Sequence, residues 1–274
     1  NVLNNYNPDF NYTNGGYLTR LQINNSFGSI YGFKYKGVYQ YDKYQPDNPN
    51  ATAPVVRDEN GNVVLDGKGE TIPMYFAYGT SNAYRFRGGD AIYEDVNHDI
   101  DELDIVYLGN SNPKFDGGFG ATLRWKRLTL NMFFNYRVGG KIINYGRMDA
   151  ENMYSTNNQS IATNWRWRKD GDMTEIPRAL YQYGYNYLGS DRFVEDGSFL
   201  RFKQLTLSYS FDPKMLKKAH LNTLNLSLTL NNLLTVTKYT GADPEISPNN
   251  IGVSEDKNRT PRSRYFTFGL TVGI

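Results

Sequence analysis

Apolar and polar side chains alternate with a period of two through several segments of about ten residues, and this pattern constrains the fold more than any other feature. The last segment puts Phe266, Phe268, Leu270, Val272 and Ile274 on one face, and Tyr265, Thr267, Gly269, Thr271 and Gly273 on the other. Leu205–Phe211 and Leu224–Leu230 repeat the pattern. Phe119–Trp125 and Leu128–Tyr136 do so on either side of Lys126 and Arg127, which predicts a hairpin with a tight turn. Helical periodicity is scarce, so the chain reads as all-β, with one greasy and one wet face per strand.

Strands of this length, a very short turn at one end and long polar loops at the other fit a transmembrane antiparallel β-barrel. The loops are Asp42–Pro73, Gly139–Asp191 and Gly241–Arg262, rich in Asn, Asp, Gly, Pro and Tyr. Tyr17–Ile23 and Ser29–Tyr39 read as a further strand pair. Its Tyr31, Phe33, Tyr35 and Tyr39 would make an aromatic ring at a membrane interface. A soluble β-sandwich or propeller also alternates, packing its apolar face on a second sheet. Periodicity leaves both open, and the soluble class has the higher base rate. The faces separate them: a barrel leaves Phe266, Phe268, Leu270 and Val272 exposed, whereas a soluble module buries them.

Composition removes other classes. An aromatic fraction of 15% in 274 residues excludes a disordered chain, and no apolar run approaches the ~18 residues of a spanning helix. Lys+Arg 30 against Asp+Glu 28 gives no basic footprint for nucleic acid. Cys is 0, which excludes disulfides, thiolate metal sites and Cys nucleophiles. His98 and His220 stand in no metal-ligand or triad spacing, so no catalytic residue is expected and the chain does not read as an enzyme. Gly117-Gly118 and Gly139-Gly140 lack the Gly-Lys-Ser/Thr of a phosphate loop and read as turns and strand ends.

Two features remain as candidate sites. Trp165, Trp167, Tyr181, Tyr183 and Tyr185 are loop aromatics suited to substrate or partner contact, or to packing the loop down. Asp95, Asn97, Asp99, Asp101 and Asp104 supply the alternating carboxylates and amides with which tight loops hold Ca²⁺, or else form a solvated acidic turn. The EF pattern needs a Gly that this run lacks. With a Gly and one more residue between Asp99 and Ile100, Asp101 and Asp104 fall at ligand positions 9 and 12. The expectation is therefore that Asp99 and Ile100 are not neighbours in the natural chain.

Blocks in a fixed order then resemble the SusC/RagA family of TonB-dependent outer-membrane transporters. They are GSIYGFKYKGVY at Gly28–Tyr39, GDAIYEDVN at Gly89–Asn97, LGNSNPKFDGGF at Leu108–Phe119, IPR at Ile176–Arg178 and VEDGSFLR at Val194–Arg201. NNLLT at Asn231–Thr235, Lys238-Tyr239, DPE at Asp243–Glu245 and the closing strand Phe266–Val272 follow. The resemblance implies that residues 1–274 are the C-terminal part of a larger barrel, with roughly 8–10 strands and no plug. The rest of the barrel and the plug would come from elsewhere, because an open sheet cannot present its edges to lipid.

It further implies a place in the bacterial outer membrane and active import of oligosaccharides or oligopeptides. Energy would come from TonB, and a SusD-like surface lipoprotein would serve as lid over the long loops. The family leads one to expect an aromatic last residue where this sequence has Ile274. The rival class is a secreted all-β carbohydrate-binding or adhesion module with a calcium loop.

Overall fold

The alternating segments become five long antiparallel strands in one sheet: β1 (Phe115–Trp125), β2 (Leu128–Val138), β3 (Phe199–Ser210), β4 (Thr223–Thr237) and β5 (Tyr265–Gly273). They lie side by side in chain order. The computed structural model describes residues 26–78, 82–96 and 104–274. Of the roughly 8–10 barrel strands expected, these five are described as one sheet; the other described strands are three to five residues long.

Through the middle of the sheet the register carries the sequence pattern from strand to strand. Three rows run Leu270–Leu226–Tyr209–Leu128–Trp125, Phe268–Leu228–Leu207–Leu130–Leu123 and Phe266–Leu230–Leu205–Met132–Ala121. Between them run polar rows such as Thr267–Thr229–Thr206–Asn131–Thr122. In that row the Thr122 hydroxyl donates to Asn131 Oδ1 at 2.7 Å, and the Thr206 and Thr229 hydroxyls lie 3.0 Å apart. Because the side-chain period is two, a one-residue slip on any strand would send its leucines to the wet face.

Among the described residues nothing covers the apolar face: Phe266, Phe268, Leu270 and Val272 are 74%, 65%, 58% and 46% exposed. Leu123, Trp125, Leu207 and Leu228 are exposed as well. A soluble monomer rarely shows a contiguous apolar patch beyond a few hundred Å², and this band crosses five strands. The soluble sandwich fails this test.

Aromatic residues mark both ends of the band. Trp125, Tyr209 and Phe211 lie at the end of the short β1–β2 turn. Nearer the other end Phe119 and Phe134 stack at 5.1 Å, and Phe134 and Phe202 at 4.4 Å. These, and not Tyr31, Phe33, Tyr35 and Tyr39, form the sheet's aromatic borders. Tyr31, Phe33 and Tyr39 are buried. Their segment is two short strands, Ser29–Gly32 paired with Val106–Asn110 and Tyr35–Val38 paired with Ala91–Tyr93. Dense aromatics signal burial as readily as an interface, and the sequence does not say which. Tyr17–Ile23 lies outside the described residues.

The β1–β2 turn takes a left-handed Lys126 (φ 54°). The β3–β4 connection closes at the same end, where Ser210 N donates to Arg127 O and Arg127 pairs with Asp212 at 2.7 Å. Both long connections, 139–198 and 238–264, leave from the opposite end. Gly139 and Gly140 sit at a strand end with positive φ, as expected. Gly117 and Gly118 correct the expectation: both lie inside β1. A Cβ on Gly118 would meet the Phe133 ring at 2.7 Å and the Phe134 carbonyl at 3.0 Å. Here glycine makes room for a neighbouring strand's aromatic ring, not for a turn.

A second unit comprises the described residues up to Asn110, with Ile143–Glu195 and Pro248–Lys257. It holds three small cores, around Ile30, Ile143 and Phe193, around Phe33, Tyr93 and Leu188, and around Tyr39, Phe76, Tyr84 and Phe86. Its helix, Tyr145–Glu151, starts where Asn144 Oδ1 accepts from Arg147 N.

Candidate functional site

Within the loop unit, a buried carboxylate organises the best-defined polar cluster. Asp90 is 0% exposed, a position tolerable only if its charge is paired and its lone pairs are filled. Arg178 Nε donates to Asp90 Oδ1 at 2.6 Å, and Arg178 Nη2 to Oδ2 at 3.2 Å. The Tyr84 hydroxyl and Arg87 N donate to Oδ2 at 2.7 and 2.8 Å. Asn186 adds a bond to Asp90 and accepts from Ala91 N. The two partners come from separate sequence blocks, GDAIYEDVN and IPR, so those blocks serve as two halves of one clamp.

The sheet unit carries a second clamp. Buried Arg201 on β3 bonds Asp243 through Nη2 and Glu245 through Nη1 at 3.1 Å. Lys203 and Arg262 reach the same Glu245 at 3.4 and 3.0 Å. Burial raises the Asp243 carboxyl, but hydrogen bonds from Arg201, Glu245 N and Arg262 N outweigh it and hold the group below the ordinary range. Here VEDGSFLR meets DPE, and the β4–β5 connection is fastened to the strand. A β-bulge between Phe202 and Gln204, opposite a left-handed Asn232, stands beside it.

The five loop aromatics divide. Trp167 is structural: its Nε1 donates to Gln40 O at 3.0 Å, and its ring lies so close over Gly89 that a Cβ there would meet it at 2.3 Å. Tyr185 packs edge-on against Phe76 at 4.7 Å and Tyr84 at 5.3 Å. Trp165 is exposed at the rim of an ionic cleft of about 850 Å³ whose walls include Arg147, Glu151, Glu175 and Arg192. Arg147 and Arg192 are both engaged with Glu151, at 2.9 and 2.7 Å.

Tyr181 and Tyr183 are exposed, and only Tyr183 of the two lines a smaller cleft of about 390 Å³ with Tyr84, Tyr154, Gln182, Tyr185 and Tyr187. The structure thus brings Tyr183 and Tyr185 together and sets Trp165 elsewhere in the unit. Tyr84, Tyr154 and Tyr187 were absent from the expected set. No local pattern distinguishes them among 23 tyrosines.

Of the acidic run, Asp95 and Asp104 are described, and Asp104 Oδ2 accepts from Val96 N, which ties the two ends of the loop together. Asn97, Asp99, Asp101 and the Asp99–Ile100 junction lie outside the described residues, as does His98. Among the described residues, no three His, Cys, Asp or Glu side chains are grouped to hold a metal. His220 is an exposed left-handed residue that ends a short helical turn.

No family model matches the chain. Two curated proteins of Formosa agariphila do: TonB-dependent receptor P39, 30% identical over 279 residues and 95% of this chain, and TonB-dependent receptor P3, 29% identical over 260 residues and 92%. The chain spans only 26% and 22% of those relatives. Among solved structures, one of the RagAB peptide transporter aligns with a TM-score of 0.58 at 25% identity, covering 90% of this chain and 24% of that one. The "closed-closed" state of the RagAB peptide importer aligns with a TM-score of 0.58 at 24% identity and 90% coverage of this chain. The five-stranded sheet is thus part of a transporter-type β-barrel, and the chain is related, over most of its length, to the TonB-dependent receptors of the SusC/RagA kind.

Proposed function

We propose that the chain is the C-terminal part of an outer-membrane barrel that imports a large nutrient, an oligosaccharide or an oligopeptide, into a bacterial periplasm. TonB would supply the energy through parts of the transporter outside this segment, and a SusD-like lipoprotein would cover the mouth. The observation that carries the reading is the apolar band exposed across β1–β5 among the described residues, bordered by aromatics at both ends. Lipid is the medium in which such a face is stable, and every backbone group must then be paired. The sheet ends at β1 and β5, so the remaining barrel strands would continue from those edges. The long connections all leave from one end, which is the extracellular end if they meet the lid. No covalent chemistry is assigned to any residue.

The test is cellular. Deleting the gene that encodes this chain should abolish growth on one class of oligomeric nutrient while growth on its monomer persists. The protein should fractionate with the outer membrane and copurify with a lipoprotein partner. Recovery in the soluble fraction without detergent would overturn the reading.

We also propose that Asp95, Asn97, Asp99, Asp101 and Asp104 hold Ca²⁺ and stiffen this loop, with a Gly and one further residue inserted after Asp99. The pinning of Asp104 to Val96 N supports a closed loop. A peptide mass spectrum across Arg87–Lys114 of the natural protein decides the insertion, and Ca²⁺-dependent protection of that peptide from protease decides the metal.

A further inference from the structure

Resting on the importer reading, we infer that the tyrosine cleft of the loop unit is a subsite for a neutral saccharide ring. Six side chains define it: Tyr84, Tyr154, Gln182, Tyr183, Tyr185 and Tyr187. None is charged. Its volume of about 390 Å³ lies at the small end of small-molecule sites, which run roughly 300–1,000 Å³.

The chemistry of the lining selects the ligand. A sugar ring offers polarised C–H groups on its faces and hydroxyls around its rim. Tyrosine answers both, with a ring face of negative quadrupole and a hydroxyl that donates and accepts. Gln182 adds an amide with both capacities. A peptide terminus or an acidic side chain would enter without an opposite charge on the walls and would be poorly compensated for lost water. The Trp165 cleft of the same unit, walled by Arg147, Glu151 and Arg192, is of the opposite character.

The cleft is also rigidly built. Tyr84 is anchored through its hydroxyl to buried Asp90 and stands edge-on to Tyr183 at 5.1 Å and to Tyr185 at 5.3 Å. Tyr154 and Tyr187 pack at 4.3 Å, and Gln182 N donates to Tyr154 O at 2.9 Å. Burial, and next the neighbouring Tyr154, hold the Tyr187 hydroxyl above its ordinary range, so it stays neutral and able to donate.

Backbone strain collects at the same place. Met153, beside Tyr154, and Gln182 are both left-handed at φ 49°, and Gly184 lies between Tyr183 and Tyr185 at φ 72°. A Cβ at Gly184 would meet Leu180 at 2.5 Å and the Tyr84 hydroxyl at 2.9 Å. Non-glycine residues held in this region cluster at ligand clamps. Tyr183, 61% exposed, is the wall left open to a ligand.

The experiment is calorimetric titration of the intact, detergent-purified transporter complex. The probes are maltohexaose, cellohexaose, xylohexaose and mannohexaose, with a tryptic casein digest in parallel. At least one hexasaccharide should bind. Tyr183→Ala should weaken it several-fold, up to about tenfold, Tyr183→Phe by less, and Leu65→Ala, outside the cleft, not at all. Absence of binding by all four hexasaccharides overturns the inference, and so does saccharide binding that Tyr183→Ala leaves unchanged. The two readings fail separately: a deletion strain that loses growth on oligopeptides alone keeps the importer and sinks the saccharide subsite.

Discussion

The sheet and the loop unit draw on the same aromatic-rich alphabet and use it in opposite ways. On the sheet, Phe119, Phe134 and Phe202 stack along an exposed face, and Phe266 and Phe268 touch no core. In the loop unit Phe33, Tyr39, Tyr84 and Phe86 are buried in small clusters, and the Tyr84 hydroxyl is tied to Asp90. The sheet gains its stability from backbone pairing and from whatever covers its apolar band. The loop unit, whose described strands are three to five residues long, depends on a few anchors, and Asp90 with Arg178 is one of them. One region should therefore fail at a single residue, whereas the other should fail through its surroundings.

The sharpest break is Asp90→Ala. It leaves the Arg178 guanidinium without its carboxylate and strips Tyr84 and Arg87 N of an acceptor. Removing one partner of a buried pair costs about 3–5 kcal/mol. The loop unit should lose amide-exchange protection around Tyr84 and Asn186 while β1–β5 keep theirs. Equal loss in both regions would end the contrast.

Leu228→Arg probes the other side. Leu228 lies in the middle row of the apolar band, where a cation in lipid costs about 2–4 kcal/mol. Leu65 in the loop unit is comparably exposed, yet Leu65→Arg should change stability by under about 0.5 kcal/mol. Urea unfolding of the reconstituted protein measures both. Equal effects would mean that the band does not face lipid.

The unevenness of the sequence reading follows from the same contrast. Alternation is a local property, so the faces of β1–β5 and the hairpin turn at Lys126 were legible, whereas the pairing of β2 to β5 and the outer halves of β3 and β4 were not. The loop unit is held by contacts far apart in the chain, such as Asp90 to Arg178 and Trp167 to Gln40, which leave no periodic trace. Tyr31, Phe33 and Tyr39 alternate like a membrane girdle because a short buried strand alternates too. Of the expected loop aromatics, Tyr183 and Tyr185 reach one cleft. Their partners Tyr84 and Tyr154 come from distant segments that spacing does not connect.

Glycines in the two regions differ at a smaller scale. Gly120 lies within β1, and a Cβ there would meet the Met132 carbonyl at 2.8 Å, so Gly120→Ala must push β1 from β2. A cost of about 1–3 kcal/mol is expected. Gly67, in an exposed loop turn with ordinary φ, has nothing within 4 Å of an added Cβ, and Gly67→Ala should be neutral within about 0.5 kcal/mol. Thermal melts of the two variants decide it.

The smallest expected effect is a difference in pH response between the two regions. Asp243 has a folded-state pKa below its ordinary 3.8. Its contribution is therefore present above about pH 4 and is lost as pH falls through the folded value. Acid should loosen the β4–β5 connection at Asp243–Glu245 first. In the loop unit, burial, with Asp90 adding to it, pushes the Tyr39 and Tyr84 hydroxyls well above their ordinary 10.0. Folding there favours the protonated phenol. That contribution is whole below about pH 10 and is lost as pH rises through the folded values. Alkali should thus open the loop unit while the Arg201 clamp still holds. Limited proteolysis at pH 3 and at pH 11, with cut sites mapped by mass spectrometry, should give early cleavage in 238–264 at the acid end and around Tyr39 and Tyr84 at the alkaline end. The same cut sites at both extremes would show that the two regions do not respond through these groups.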